Sequence, residues 1–344
     1  MRLSIALGRY PHTDALRAGA LASPLFDLVF EDIQPGNRAF APMVREGRFD
    51  ISEMAIATFL QAIAYGKPLV LLPVTMAARF QESALLCLAS GPVRGPEDLE
   101  GRRVGIRAYS QTTGLWLRGT LQEEYGLSPD RMNWVTFEGA HVAEYQDPGW
   151  VRRAPAGASL LGMLKDGSVD AIIMGNDLPE DPELRTVFPD PKAASERFFQ
   201  RHGFIPVNHL VTVKRELAEM RPDVVVELMR LFRLALGPSG VTPPVMAGAG
   251  RPSTTSFLST SQVVDGRTKP HHDGASVRAP HVSAHAPSPA MTGVTGPAAL
   301  PLGREALRPS IGLAIRYAEQ QGLLPRPLTE GDVWAGLPDD AIFT

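Results

Sequence analysis

Pro96-Glu97-Asp98-Leu99-Glu100-Gly101-Arg102-Arg103-Val104-Gly105-Ile106 carries the decisive pattern: a short helix, a glycine stop and the start of a strand. Proline and two acids open the helix, Gly101 ends it, and an apolar run follows at once. Outward from this stretch the same alternation holds in both directions. Short apolar runs bounded by turn residues alternate with helix-period segments, the pattern of a mostly parallel α/β sheet. Strands are expected at Leu3–Leu7, Leu28–Ile33, Phe49–Met54, Leu69–Val74, Ser83–Ala89, Arg103–Arg107, Trp134–Phe137, Val169–Met174 and Asn208–Val213. Helices are expected at Thr13–Gly19, Phe40–Glu46, Ala57–Ala64, Thr113–Tyr125, Ser159–Asp166, Pro191–His202 and Arg221–Leu236.

Composition narrows the function classes. Of the 344 residues, 44% are hydrophobic and 21% charged, which allows a substantial core. A net charge of −3 gives no bulk attraction to nucleic acid or to anionic membrane. The single cysteine, Cys87, excludes an intrachain disulfide and a cysteine-based metal site. No apolar run reaches the ~18–20 residues that span a bilayer, so no membrane insertion is expected. The run Leu3–Leu7 is too short for a secretory leader. The expectation is a cytoplasmic protein, and a periplasmic one only if translation starts further upstream.

Composition shifts near Gly240. Residues 240–298 are rich in Pro, Gly, Ser, Thr and His, and hold His271, His272, His281 and His285. The stretch reads as a low-complexity, disordered insert whose histidines are solvated. Helix period resumes at Leu302 and continues through Ser310–Gln321.

In an open α/β sheet, ligands bind beyond the carboxyl ends of strands. Candidates at such tips are Arg9 and Tyr10, Ser52 and Glu53, Arg79, and Asn176. The loop Tyr109-Ser110-Gln111-Thr112-Thr113 opens a helix, where hydroxyls and free N–H groups favour a carboxylate or phosphate. His141 stands three residues before Glu144, a metal-like spacing without a third ligand, so no metal is expected. Asn208 and His209 set two polar side chains inside an apolar strand. The plainer alternatives are a capping acid for Glu53 and a satisfied core histidine for His209. There is no phosphate-binding Gly-Lys-Ser/Thr loop, nucleophile elbow or His-Glu-x-x-His helix, and Gly248-Ala249-Gly250 follows no strand.

Several segments together resemble the type 2 periplasmic-binding-protein superfamily, and within it the 4,5-dihydroxyphthalate decarboxylases. They are Ala6-Leu7-Gly8-Arg9-Tyr10, Phe49-Asp50-Ile51-Ser52-Glu53-Met54, the stretch 96–105, and Asp166-Gly167-Ser168-Val169-Asp170-Ala171. Phe188-Pro189-Asp190-Pro191 and Gly203-Phe204-Ile205-Pro206-Val207-Asn208-His209 complete the set. The resemblance implies a two-lobed α/β fold with a ligand cleft between lobes, residues 1–88 plus 208–344 forming one and 89–207 the other. It implies a cofactor-independent carboxy-lyase acting on a small hydroxylated aromatic acid. Arg79, Ser110, Thr112 and Thr113 would hold the anion, His209 or Glu53 would move the proton, and Tyr10 and Tyr109 would line the ring. Two departures stand out. The decarboxylases carry a basic Arg-His pair where this chain has Gln81-Glu82, and a Pro-Glu-Tyr-Gln-Leu-Thr loop where it has residues 107–112. Glu82 would weaken dianion binding if it faced the cleft. The alternative reading is a solute-binding protein of an ABC-type uptake system, the one reading in which a permease is a partner.

Overall fold

The computed structural model describes residues 1–175, 178–237 and 300–339. The insert read at 240–298 and the candidate Asn176 lie outside the described residues.

Two sheets carry the fold. The first runs β2-β1-β3-β11-β4, from β1 (Arg2–Ala6), β2 (Asp27–Phe30), β3 (Ile51–Ala55), β4 (Leu69–Ala78) and β11 (Val207–Lys214). The second runs β10-β5-β9-β6-β7-β8. Its strands are β5 (Leu85–Leu88), β6 (Arg103–Ile106), β7 (Asn133–Thr136), β8 (Val151–Arg153), β9 (Ala171–Ile173) and β10 (Leu184–Thr186). β1 pairs in parallel with β2 and β3, and β6 with β7 and β9. The antiparallel pairings belong to β11, which runs between β3 and β4, and to β5, which runs between β9 and β10. The fold is two-lobed α/β, one sheet to each lobe.

One continuous apolar cluster runs through residues of both sheets, with a smaller one around Leu164, Val169 and Ile172. β3 is buried along its whole length and β4 along its first eight residues. Ser83–Ala89, read as one strand, divides into a 3-10 turn (Glu82–Ala84) and β5. β5 bonds wholly within the second sheet, so the chain changes lobe before Leu85. β8 and β10 were not foreseen. Each is three residues long and carries arginine, so neither offers an apolar run. After residue 299 the chain rejoins the first lobe where Gly303 N–H donates to the Pro73 carbonyl at 2.8 Å. The helix Arg304–Gln320 then packs on the helix Thr112–Tyr125. No helix among the described residues is long and apolar enough to cross a membrane.

Candidate functional site

The site grows from the register of β11 against β3. Val211 lies opposite Glu53 and His209 opposite Ala55, so Glu53 and His209 are diagonal neighbours on one face. Diagonal partners in an antiparallel pair are ~7–8 Å apart at Cα, within reach of long side chains. The pairing of β11 with β4 shifts register on both sides of His209, an irregularity of the kind that re-aims a side chain beside a site.

The two side chains meet. His209 Nδ1 lies 2.5 Å from Glu53 Oε1, which also accepts the Tyr10 hydroxyl at 2.6 Å. Gly8 N–H donates to Glu53 Oε2 at 2.7 Å. Glu53 is only 2% exposed, and a carboxylate buried to that degree requires this many donors. Burial alone lifts its carboxyl, but the hydrogen bond and charge of His209, with Tyr10 and Gly8, outweigh it and hold the group below the ordinary carboxylate range. The Tyr10 hydroxyl is pushed well up by burial and by the Glu53 charge beside it. With Glu53 ionised, Nδ1–H is the donor and Nε2 is the ring atom left for exchange with a ligand.

Close backbone approach makes this cluster possible. A Cβ on Gly8 would stand 2.6 Å from the Tyr10 ring and 3.0 Å from Glu53 Oε2. Arg17 fixes the same turn, donating to the Leu7 carbonyl at 2.5 Å and the Gly8 carbonyl at 3.1 Å.

Beside the cluster, two helix starts converge. The Ala57 N–H, in the first turn of the helix Ile56–Ala64, donates to the Thr112 hydroxyl at 3.2 Å. Thr112 opens the helix Thr112–Tyr125, whose N-cap Gln111 gives no side-chain cap. Both starts present the positive end of a helix dipole. Arg79 joins them: its Nη2 donates to the Thr113 hydroxyl at 3.2 Å, and no acid among the described residues pairs with it. Burial alone depresses its guanidinium. A partly buried arginine at a helix start, with no carboxylate beside it among the described residues, has the chemistry to hold a ligand anion.

On the other flank, His141 Nδ1 lies 2.9 Å from the Thr58 hydroxyl. Its imidazole is pushed down to about 4, by burial first and then by Arg107, Arg45 and His209. Phe40 sits edge-on to both histidines, with ring centroids 5.7 Å from His141 and 5.2 Å from His209. A cavity of about 420 Å³ opens beside His141, lined by Asn37, Arg38, Arg45, Arg107 and Glu138 among others. Three arginines against one acid make this opening strongly basic.

The remaining candidates fall elsewhere. Arg9 is a surface residue paired with Asp32 at 3.1 Å. Ser52 turns its hydroxyl to the Glu53 carbonyl at 2.8 Å, inside the sheet. Tyr109, expected to line the ring, is fully buried against Trp134 and Arg118, because the loop turns its side chain into the second lobe's core. Ser110 is buried in the loop, and Gln111 Oε1 is buried with no hydrogen-bond partner among the described residues. Asn208 accepts from Gln81 Nε2 at 2.9 Å, and the same amide donates to the Arg79 carbonyl at 2.7 Å, so Asn208 braces the Arg79 turn. His141 and Glu144 do not converge, since Glu144 pairs with Lys67 at 2.5 Å. No group of three metal-binding side chains occurs among the described residues. Sequence reading missed Gly8, Arg17, Phe40, Thr58 and the arginines near His141. Phe40 and Thr58 look like ordinary helix residues, and only the fold sets them against histidines.

Glu82 does not face the anion seat. It is 2% exposed and accepts Gln81 N–H at 2.9 Å and the Ser195 hydroxyl at 2.8 Å. Burial, with the charge of Glu124, pushes its carboxyl up against the opposing hydrogen bonds. A carboxyl raised in the folded state stabilises below its unfolded value and loses that stability as pH rises through the folded value. Glu82→Gln keeps the acceptor and removes the charge, so it is expected to melt about 2 °C higher at pH 8. The gap should close as pH falls toward 4, which calorimetric scans across pH would show.

Known proteins share stretches of this chain. The family described as NMT1/THI5 like matches residues 30–148. A Comamonas testosteroni protein named 4,5-dihydroxyphthalate decarboxylase is 28% identical over 251 residues, covering 67% of this chain and 74% of that one. One of the same name from Pseudomonas putida is 26% identical over 219 residues, covering 58% and 82%. Among solved structures, the alkanesulfonate-binding protein SsuA from Xanthomonas axonopodis pv. citri, bound to MOPS, is similar with a TM-score of 0.42. It shares 17% identity over 69% of this chain and 73% of that one. The two relatives bear out the resemblance to the 4,5-dihydroxyphthalate decarboxylases.

Proposed function

We propose, from this likeness to the decarboxylases, that the chain is a cofactor-independent carboxy-lyase for a small hydroxylated aromatic acid. The observation that carries the reading is the buried Glu53–His209 pair set beside an arginine seat that lacks an acid. A receptor needs the seat; a proton-transfer dyad is what chemistry adds.

The reaction breaks the bond between a ring carbon and its carboxylate carbon, releases carbon dioxide, and puts a proton in the vacated place. The proton first bonds to the carboxylate-bearing ring carbon while a ring hydroxyl para to it donates electron density to the dearomatised ring. The electrons of the carbon–carboxylate bond then restore the aromatic ring as carbon dioxide leaves. Arg79, the Thr112 and Thr113 hydroxyls and the two helix starts hold the carboxylate end of the substrate. His209 Nε2 delivers the proton, while Glu53 keeps Nδ1–H in place and stabilises the charged ring. Tyr10 and Gly8 hold Glu53 ionised. Phe40 supports the His209 ring edge-on, which limits its rotation.

Purified protein incubated with hydroxylated phthalates and benzoates tests the reading, with full-scan mass spectra of the small molecules taken over time. A substrate that loses the mass of carbon dioxide above a boiled control supports it. A panel left unchanged, with members bound, points to the receptor reading. Gly8→Ala supplies a finer check, since its Cβ must displace the Tyr10 ring from Glu53. Turnover is expected to fall by about tenfold to a hundredfold, as small misplacements in a site do, and steady-state rates would measure it.

A further inference from the structure

We propose that Arg118 is a positioning residue for the ligand: sealed beneath the first turn of the helix Thr112–Tyr125, it holds the Tyr109–Thr113 loop and supplies positive potential to an anion seated above it. The proposal rests on the reading that this loop seats an anion.

Arg118 is fully buried, at 0% exposure. Its Nε donates to Gln321 Oε1 at 2.7 Å and its Nη2 to the Tyr109 carbonyl at 2.7 Å. The guanidinium lies over the Tyr109 ring at 4.0 Å and the Trp134 ring at 5.1 Å. Nη1 has no hydrogen-bond partner among the described residues. No carboxylate among them forms an ion pair with it. Asp147 feels its charge but is turned to Arg153, at 3.8 Å, and to the Thr136 hydroxyl.

An arginine with this little compensation is costly to bury, and an apolar side chain of similar volume fills such a site at lower cost. The guanidinium therefore offers something that packing does not. Its position shows what. A Cβ on Gly114 would lie 2.7 Å from Nη1, so glycine at 114 lets the charge rise directly under the helix start. The same helix start carries Thr112, Thr113 and the Arg79 contact. In a low-dielectric core the charge is little screened and adds to the helix dipole there. The Tyr109 carbonyl bond also fixes the loop, and Gln321 ties the arrangement to the carboxyl-terminal helix by donating to the Leu115 carbonyl at 2.9 Å.

Titration calorimetry with benzoate and phthalate distinguishes a field from a brace. Neither probe carries the ring hydroxyl that the reaction needs. A fixed charge acts in proportion to the ligand's charge, so Arg118→Met is expected to weaken benzoate by about tenfold and phthalate by about a hundredfold. Arg118→Lys should restore most of both affinities. Arg118→Gln, which keeps a donor for the Tyr109 carbonyl, should show the same dependence on charge and serves where the Met protein does not fold. Equal losses for the two probes, or a Lys variant no better than Met, would overturn the proposal. Wild-type protein that binds neither probe overturns it together with the anion seat. Binding that follows the expected scaling while no hydroxylated phthalate is decarboxylated leaves Arg118 in its role and removes the lyase.

Discussion

His209→Ala is expected to lower kcat by roughly 10²–10⁴, the usual contribution of a positioned general acid or base, with KM little changed. The side chain is 21% exposed and hangs from a strand whose backbone pairs on both sides, so its loss removes a proton donor and little packing. Glu53→Gln should lose most of the same rate. The amide offers one acceptor in place of two carboxylate oxygens that now serve Tyr10, Gly8 and His209. Wild-type activity also has an expected acid limit. The Glu53 carboxyl is held below its ordinary 4.5, so the form that supports His209 persists down to that pH and is lost only as pH falls through the lower folded value. A kcat profile falling above pH 5 on its acid side would contradict the assignment.

Arg79→Ala is expected to raise KM by about a hundredfold, the scale of one lost charge-assisted contact to a carboxylate, with a smaller effect on kcat. Its backbone is fixed independently, the N–H donating to the Pro206 carbonyl at 2.9 Å and the following turn braced by Gln81 and Asn208. The fold should therefore survive. Arg79→Lys should recover part of the affinity, because the charge remains but the planar fork is lost. Steady-state kinetics on all three proteins would check this, and an unchanged KM for Arg79→Ala would remove the residue from the seat.

Much of the fold was legible because strand and helix periods differ. The nine expected strands correspond to nine of the eleven described, and β8 and β10 escaped only by being short and polar. The site was legible in parts. Tyr10 and Glu53 were picked out as polar residues at strand tips and His209 as one inside an apolar strand, yet no local pattern joins Glu53 to His209, 156 residues apart. That junction depends on β11 running between β3 and β4, and on its irregular register at His209. Tyr109 was misplaced for the opposite reason, since a polar type in a loop does not say which way the loop turns it. Glu82 looked like a repulsive charge in the sequence and is a satisfied core acid in the fold. Arg118 has no sequence signal, because an arginine on a helix is ordinarily solvated and only packing shows this one sealed.

The lyase reading is tested most directly by incubating the protein with 4,5-dihydroxyphthalate in D₂O and following the aromatic region by NMR. The expected result is a dihydroxybenzoate with one carboxylate gone and deuterium at the vacated ring carbon, formed at a rate that collapses in His209→Ala. Substrate that binds at saturation and is recovered unchanged would contradict the account and leave the cleft a receptor.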